Sequence, residues 1–150
     1  MEAVLSQLYD ALLIAVAAHA GQVDKAGQPY ILHPLRLMMR MTSETARIVA
    51  VLHDVVEDSD VSLDDLRAAG FGDEVIDAVD LVTRRETESY DEFIARIAPH
   101  ALARQVKLAD LEDNMDTRRL ETIDERTVER MQRYLRSWRL LRALEDASST

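Results

Sequence analysis

The 150-residue sequence contains no cysteine, only two lysines, four glycines and three prolines. Each shortage excludes something. Without cysteine there is no disulfide framework, thiol nucleophile or thiolate metal site, so any metal must be bound by histidine, aspartate or glutamate. Scarce glycine and proline, with few clusters of β-branched residues, leave little material for strands and hairpins. The longest apolar stretch, Ala11 to Ala18, is too short to span a bilayer and lacks the basic flank and cleavage site of a secretory signal. Positive charge is short as well. Eighteen Lys and Arg against 28 Asp and Glu give a net charge of −10, the wrong sign for gripping nucleic-acid phosphates or an anionic membrane. A cytoplasmic protein with no DNA, RNA or membrane partner is expected.

The residues that are present favour helix. Ala, Leu, Arg and Glu dominate, and the length suits one domain spanning 1–150 that buries roughly 70% of its unfolded surface. The pattern predicts an all-α fold. A first helix from about Ala3 to Ala20 is apolar all round over Ala11–Ala18, which predicts burial. The segment Gly21 to His33 reads as a loop, with Pro34 as the first residue of a second helix. A third helix, from about Ser43 to Val56, is apolar on nearly every side and should be central. Ser62 and Asp65 form a capping-box pattern before a short helix that stops at Gly70. Further helices are expected over Asp73–Thr83, Tyr90–Ile97, from beyond Pro99 to Met115, and over Asp124–Glu145, with a polar loop from Arg84 to Ser89. Met131, Tyr134, Trp138 and Leu141 form a stripe on the last helix that reads as core packing.

The run His53-Asp54-Val55-Val56-Glu57-Asp58 places four polar groups at the end of the most apolar helix. Unpartnered charges there would cost several kcal/mol each. Imidazole and carboxylate at one edge suit a divalent cation, although neighbours on a helix diverge by about 100°. Two more candidates stand out. His33 precedes Pro34 at a loop–helix junction, and Asp110 lies within the apolar run Val106 to Leu111. A mixed imidazole and carboxylate set suits Mn²⁺ or Fe²⁺ and also accommodates Zn²⁺. The same residues are equally compatible with a satisfied helix-end pair and a buried acid matched to an arginine.

The order His33, His53-Asp54, Asp110 resembles the HD-domain metallohydrolases. The stretches AHAGQVDKAGQPYILHP (18–34), HDVVEDSDVSLDDL (53–66) and VKLADLEDNM (106–115) are similar to the hydrolase domain of Rel/SpoT enzymes and small alarmone hydrolases. The resemblance implies a helical HD bundle with a central Mn²⁺ held by His33, His53, Asp54 and Asp110. It makes Glu57 and Asp58 the acids that orient and deprotonate the attacking water. Lys25 would face the phosphates, and Asn114 and Thr117 would line the nucleotide pocket. The implied reaction converts guanosine tetra- or pentaphosphate to GDP or GTP plus pyrophosphate, with a small phosphorylated nucleotide as partner and a homo-oligomer possible. His19 is expected to be hydrogen-bonded near the site, and His100 to lie on the surface at a helix start.

Three acids stand where the family carries a basic group or a histidine: Asp24, Asp113 and Asp116. Asp24 stands where the relatives carry arginine, and Leu111-Glu112-Asp113-Asn114-Met115-Asp116 replaces Arg-Leu-His-Asn-Met-Arg. An altered base specificity and a pocket short of positive charge are therefore expected. Removal of a 2′- or 3′-phosphate from an adenine nucleotide or NADPH is a second reading. A non-catalytic nucleotide-sensing module is a third, against which the presence of both Glu57 and Asp58 argues.

Overall fold

The computed structural model describes residues 2–149, with side chains described from Gln7 onward. Nine α-helices follow in order among these residues, α1 (Glu2–Ala18), α2 (Leu32–Arg40), α3 (Glu44–Leu52), α4 (Val55–Asp58), α5 (Leu63–Ala68), α6 (Asp73–Val82), α7 (Tyr90–Ile97), α8 (Ala101–Asn114) and α9 (Glu125–Ser148), with a 3-10 turn at Thr117–Arg119 between the last two. The fold is all-α. A single antiparallel bridge, Val23 to Pro29, pinches the loop between α1 and α2. No described helix is long and apolar enough to cross a membrane.

The sequence of α3 explains its central position. Ser43 caps it by accepting a hydrogen bond from the Ala46 N–H, and Ala46 and Ile48–Leu52 are all buried. It packs against α1, α2, α6 and α8. Burial of each large side chain such as Ile48 or Leu52 contributes roughly 1.5–3 kcal/mol, so the helix holds the ends of its neighbours in register around its own C-terminus. The last helix, α9, is capped by Asp124, which accepts from the Thr127 N–H. It lies along α8, where Trp138 and Leu141 pack with Leu108, Leu111 and Ile94.

Three elements differ from the sequence expectation. The third helix does not continue to Val56: it ends at Leu52, and His53 and Asp54 form a turn before α4. The Ala50 carbonyl accepts from both the His53 N–H and His53 Nδ1, at 3.4 and 2.7 Å, and Asp54 adopts φ −106°, ψ 0°. That bridge conformation leaves the helical path. Helix α2 starts at Leu32, so Pro34 is its third residue. This is still within the first turn, where a missing N–H goes unused. Helix α1 is not buried all round. Ala11 and Ala15 are fully enclosed, whereas Tyr9, Leu13 and Val16 are 70%, 69% and 54% exposed. Ala11 and Ala15 form the centre of its packed face, flanked by Leu8, Leu12 and Ile14, which pack against the core, while Tyr9, Leu13 and Val16 face outward. The capping box of Ser62 with Asp65 is present as expected, and Gly70 follows it with φ +101°, a conformation that only glycine adopts readily.

Candidate metal centre and cleft

Four side chains from three segments converge on one point at the C-terminal end of α3. His33 projects from the first turn of α2, His53 and Asp54 from the break between α3 and α4, and Asp110 from the middle of α8. The break turns two adjacent side chains toward each other, with His53 Nε2 2.9 Å from Asp54 Oδ2. His33 Nε2 lies 3.0 Å from Asp110 Oδ1 and 3.7 Å from Asp54 Oδ2, and His53 Nε2 is 3.6 Å from Asp110 Oδ1. Single donor atoms of His33, His53 and Asp54 all fall within 4.8 Å of one another.

The surroundings set the tautomers. Asp113 Oδ2 accepts from His33 Nδ1 at 2.6 Å, and the Ala50 carbonyl accepts from His53 Nδ1. A carboxylate and a carbonyl are acceptors only, so each ring carries a proton on Nδ1 and presents Nε2 to the cluster. His53 Nε2 is buried without a hydrogen-bond partner. Donors pressed this close require a proton or a cation between them, and neutral imidazole Nε2 with carboxylate oxygen is a set that suits a divalent ion. The donor set of His33, His53 and Asp54 therefore fits a divalent metal, and Asp110 Oδ1 lies beside it, 3.0 and 3.6 Å from the two imidazole Nε2 atoms.

The carboxylates are braced from outside. Lys107 Nζ donates to Asp110 Oδ2 at 2.7 Å and Asn114 Nδ2 to Asp110 Oδ1 at 2.9 Å, while the Tyr30 hydroxyl donates to Asp54. Burial opposes ionisation of Asp110, but Lys107 and the two histidines overcome it and hold its carboxyl well below the usual range. For His33, burial lowers the pKa, but Asp110 and Asp113 outweigh it and leave it raised. Burial beside Asp54 pushes the Tyr30 phenol upward, which keeps it a proton donor.

A cleft of about 530 Å³ opens above this floor. Glu57, Lys25 and Asn114 line it, opposite Tyr90, Tyr134 and Met131. The stripe on α9 packs as expected at Tyr134, Trp138 and Leu141, while Met131 and Tyr134 also line the cleft. Glu57 is solvent-exposed and accepts the Arg84 N–H at 2.5 Å. Desolvation by its surroundings, reinforced by Asp54 and Asp58, raises its pKa. Lys25 has its pKa lowered by partial burial and by the like charges of Arg130 and Arg133 on α9. Asp58 and Thr117 lie off the cleft wall. The Asp58 backbone carbonyl is instead held by Gln22 Nε2 at 2.8 Å, and Gln22 in turn bonds His19, which is buried beside Tyr30. His100 is half-buried and caps α8 through Nδ1.

The expected shortage of positive charge is corrected by the structure. Six acidic and six basic side chains line the cleft. Asp24 spends one carboxylate oxygen on the Ala26 and Gln28 N–H groups of its own loop. Asp113 pairs with His33, Arg36 and Arg119, and Asp116 with Arg118 and Arg119. None of the three faces the cleft as an uncompensated charge. Tyr30, Arg36, Arg84, Lys107, Arg119 and Arg130 escaped the sequence reading as site residues. Tyr30 and Lys107 fall within motif stretches and offered a signal, whereas the four arginines are scattered and only the fold collects them.

No family model matches the chain. Among curated proteins it is similar to the guanosine-3′,5′-bis(diphosphate) 3′-pyrophosphohydrolase of Vibrio cholerae, with 33% identity over 129 residues covering 75% of this chain and 18% of that protein. It is also 35% identical over 128 residues to the GTP pyrophosphokinase of Streptomyces coelicolor, covering 77% of this chain and 15% of that one. The chain therefore spans less than a fifth of the length of these two relatives. Among solved structures, a metazoan ortholog of SpoT described as hydrolysing ppGpp superimposes with a TM-score of 0.77 and 26% identity, covering 91% of this chain and 85% of its own. Sequence over three quarters of the chain and fold over nine tenths agree: the chain belongs to the SpoT/Rel family of HD-type hydrolases.

Proposed function

We propose that the chain is a metal-dependent pyrophosphohydrolase that removes the 3′-pyrophosphate from guanosine tetra- or pentaphosphate, releasing pyrophosphate and GDP or GTP. The observation that carries this reading is the convergence of two imidazole Nε2 atoms and two carboxylates on the floor of a cleft whose wall holds Glu57 and Lys25. The reaction is a hydrolysis, in which a water oxygen bonds to phosphorus as the bond from that phosphorus to ribose O3′ breaks. His33, His53, Asp54 and Asp110 would hold a divalent ion, and the mixed nitrogen and oxygen set suits Mn²⁺ or Fe²⁺. When bound, such an ion lowers the pKa of coordinated water and offsets charge on phosphoryl oxygens.

The chain supplies the rest. Glu57 accepts the proton of the attacking water, and its raised pKa makes it a better acceptor. Asp58, the second acid in the motif, shares the local charge from behind. Lys25, with Arg130 close enough to depress its pKa, attracts a polyanion because repulsion between the two cations is relieved when phosphate lies between them. Tyr90 and Tyr134, with ring centroids 6.2 Å apart, provide an apolar wall for a base, and Asn114 offers an amide at the edge of the floor.

A Mn²⁺-supplemented assay comparing guanosine tetraphosphate, its adenine counterpart and NADPH, with pyrophosphate and phosphate release read separately, tests the assignment. Guanosine tetraphosphate should be turned over with pyrophosphate as product, and Asp54→Ala should abolish turnover. Turnover that survives Asp54→Ala rejects the metal reading, and phosphate release from NADPH alone rejects the substrate.

A further inference from the structure

We propose that Asp113 is the positioning residue of the metal centre: its carboxylate locks the His33 ring with Nε2 turned toward the other donors. This rests on the metal-centre reading above. Asp110 and Asp113 are three residues apart on α8 and so share one face of that helix. Between them they grip both nitrogens of His33, Oδ1 of Asp110 at 3.0 Å from Nε2 and Oδ2 of Asp113 at 2.6 Å from Nδ1. The ring cannot flip without breaking both contacts. Asp113 is 2% exposed, a burial that a carboxylate tolerates only when fully matched.

The match comes from two further cations. Arg36 donates to both oxygens of Asp113, at 2.8 and 2.9 Å, and Arg119 reaches the backbone carbonyl and Oδ2 at 2.8 and 3.4 Å. These arginines do not depend on Asp113 alone. Arg36 also feels Asp24 and Asp116, and Arg119 pairs with Asp116. His33 Nδ1, by contrast, has Asp113 as its hydrogen-bond acceptor among the described residues. An imidazole ligand oriented by a buried carboxylate binds a metal more tightly, because the ordering cost is met before the ion arrives and the ring is made more basic. A residue that departs from the family pattern thus serves the metal rather than the nucleotide.

The test is Mn²⁺ titration of the full chain, followed by the electron paramagnetic resonance of free Mn²⁺, for wild type, Asp113→Ala and Arg119→Met. Asp113→Ala should raise the Kd about 10- to 100-fold, whereas Arg119→Met, which removes an ion pair but not the clamp, should leave it within about threefold. A folded Asp113→Ala variant with wild-type affinity overturns the inference and spares the metal reading. Absence of Mn²⁺ binding by the wild type sinks the metal reading itself. Should Asp113→Ala not fold, histidine ¹⁵N spectra of the Zn²⁺-loaded wild type decide: a proton on His33 Nδ1 supports the clamp, and a metal-facing Nδ1 overturns it.

Discussion

The two ends of the cleft are built on opposite principles. At the floor, His33, His53 and Asp110 are almost wholly buried and held from outside by Asp113, the Ala50 carbonyl, Lys107 and Asn114, with His53 Nε2 left without a hydrogen-bond partner. At the rim, Lys25 is exposed and the like charges of Arg130 and Arg133 bear on it. A permanently resident ion requires a site organised in advance, since disorder among its ligands lowers affinity. A substrate that must also leave is better met by mobile groups whose mutual repulsion it relieves. Glu57 stands between the two, exposed to water yet tied by Arg84.

Three substitutions break or sharpen that contrast. The largest effect is expected from Glu57→Gln, which keeps the hydrogen bond to the Arg84 N–H but cannot accept a proton. It should lower kcat by about 10²- to 10⁴-fold while leaving the Mn²⁺ Kd unchanged. If the metal affinity falls instead, the division between floor and rim is wrong. Lys25→Ala comes next. A rise in KM of about tenfold, from loss of one charge-assisted contact, should accompany an unchanged kcat and a weaker dependence on salt. A fall in kcat without a change in KM would place Lys25 in the chemistry.

The smallest effect concerns Glu88, which lies in the loop between α6 and α7 and does not line the cleft. Glu88 there is held to about pH 2 chiefly by hydrogen bonds from Arg96, against an ordinary value of 4.5. A depressed carboxyl pKa contributes stability that is present above pH 4.5 and lost as pH falls toward 2. Glu88→Gln should therefore lower the melting temperature slightly at neutral pH and flatten the acid limb of stability in that window. Mn²⁺ affinity should not respond.

Legibility in the sequence followed the range of the interaction. Local devices were read directly: the Ser62 and Asp65 box, the glycine after α5 and the buried α3. The four residues brought together at the floor were singled out as a set, because ionisable groups embedded in apolar helices are conspicuous. The turn at His53 and Asp54 was not visible. Propensity favours a continuous helix there, and a side-chain bond from His53 to the Ala50 carbonyl overrides it. The outward face of α1 was missed because Ala11 and Ala15, with Leu8, Leu12 and Ile14 beside them, supply the packed side while Leu13 and Val16 remain outside. The cationic groups of the cleft were hidden for a third reason. Arg36, Arg84, Arg119 and Arg130 lie on four separate segments, and each taken alone is an unremarkable surface arginine.

The even balance of charge around the cleft has a kinetic consequence. With six acids and six bases at the opening, the net charge of −10 arises from the remainder of the molecule, and at distance a nucleotide polyphosphate meets that field before it meets Lys25. Approach is uphill over roughly one Debye length, about 30 Å at 0.01 M salt but only about 8 Å at physiological ionic strength. Encounter should thus speed up as salt is added, even while the bound complex weakens. A nucleotide arriving with its own divalent counter-ion crosses the smaller barrier.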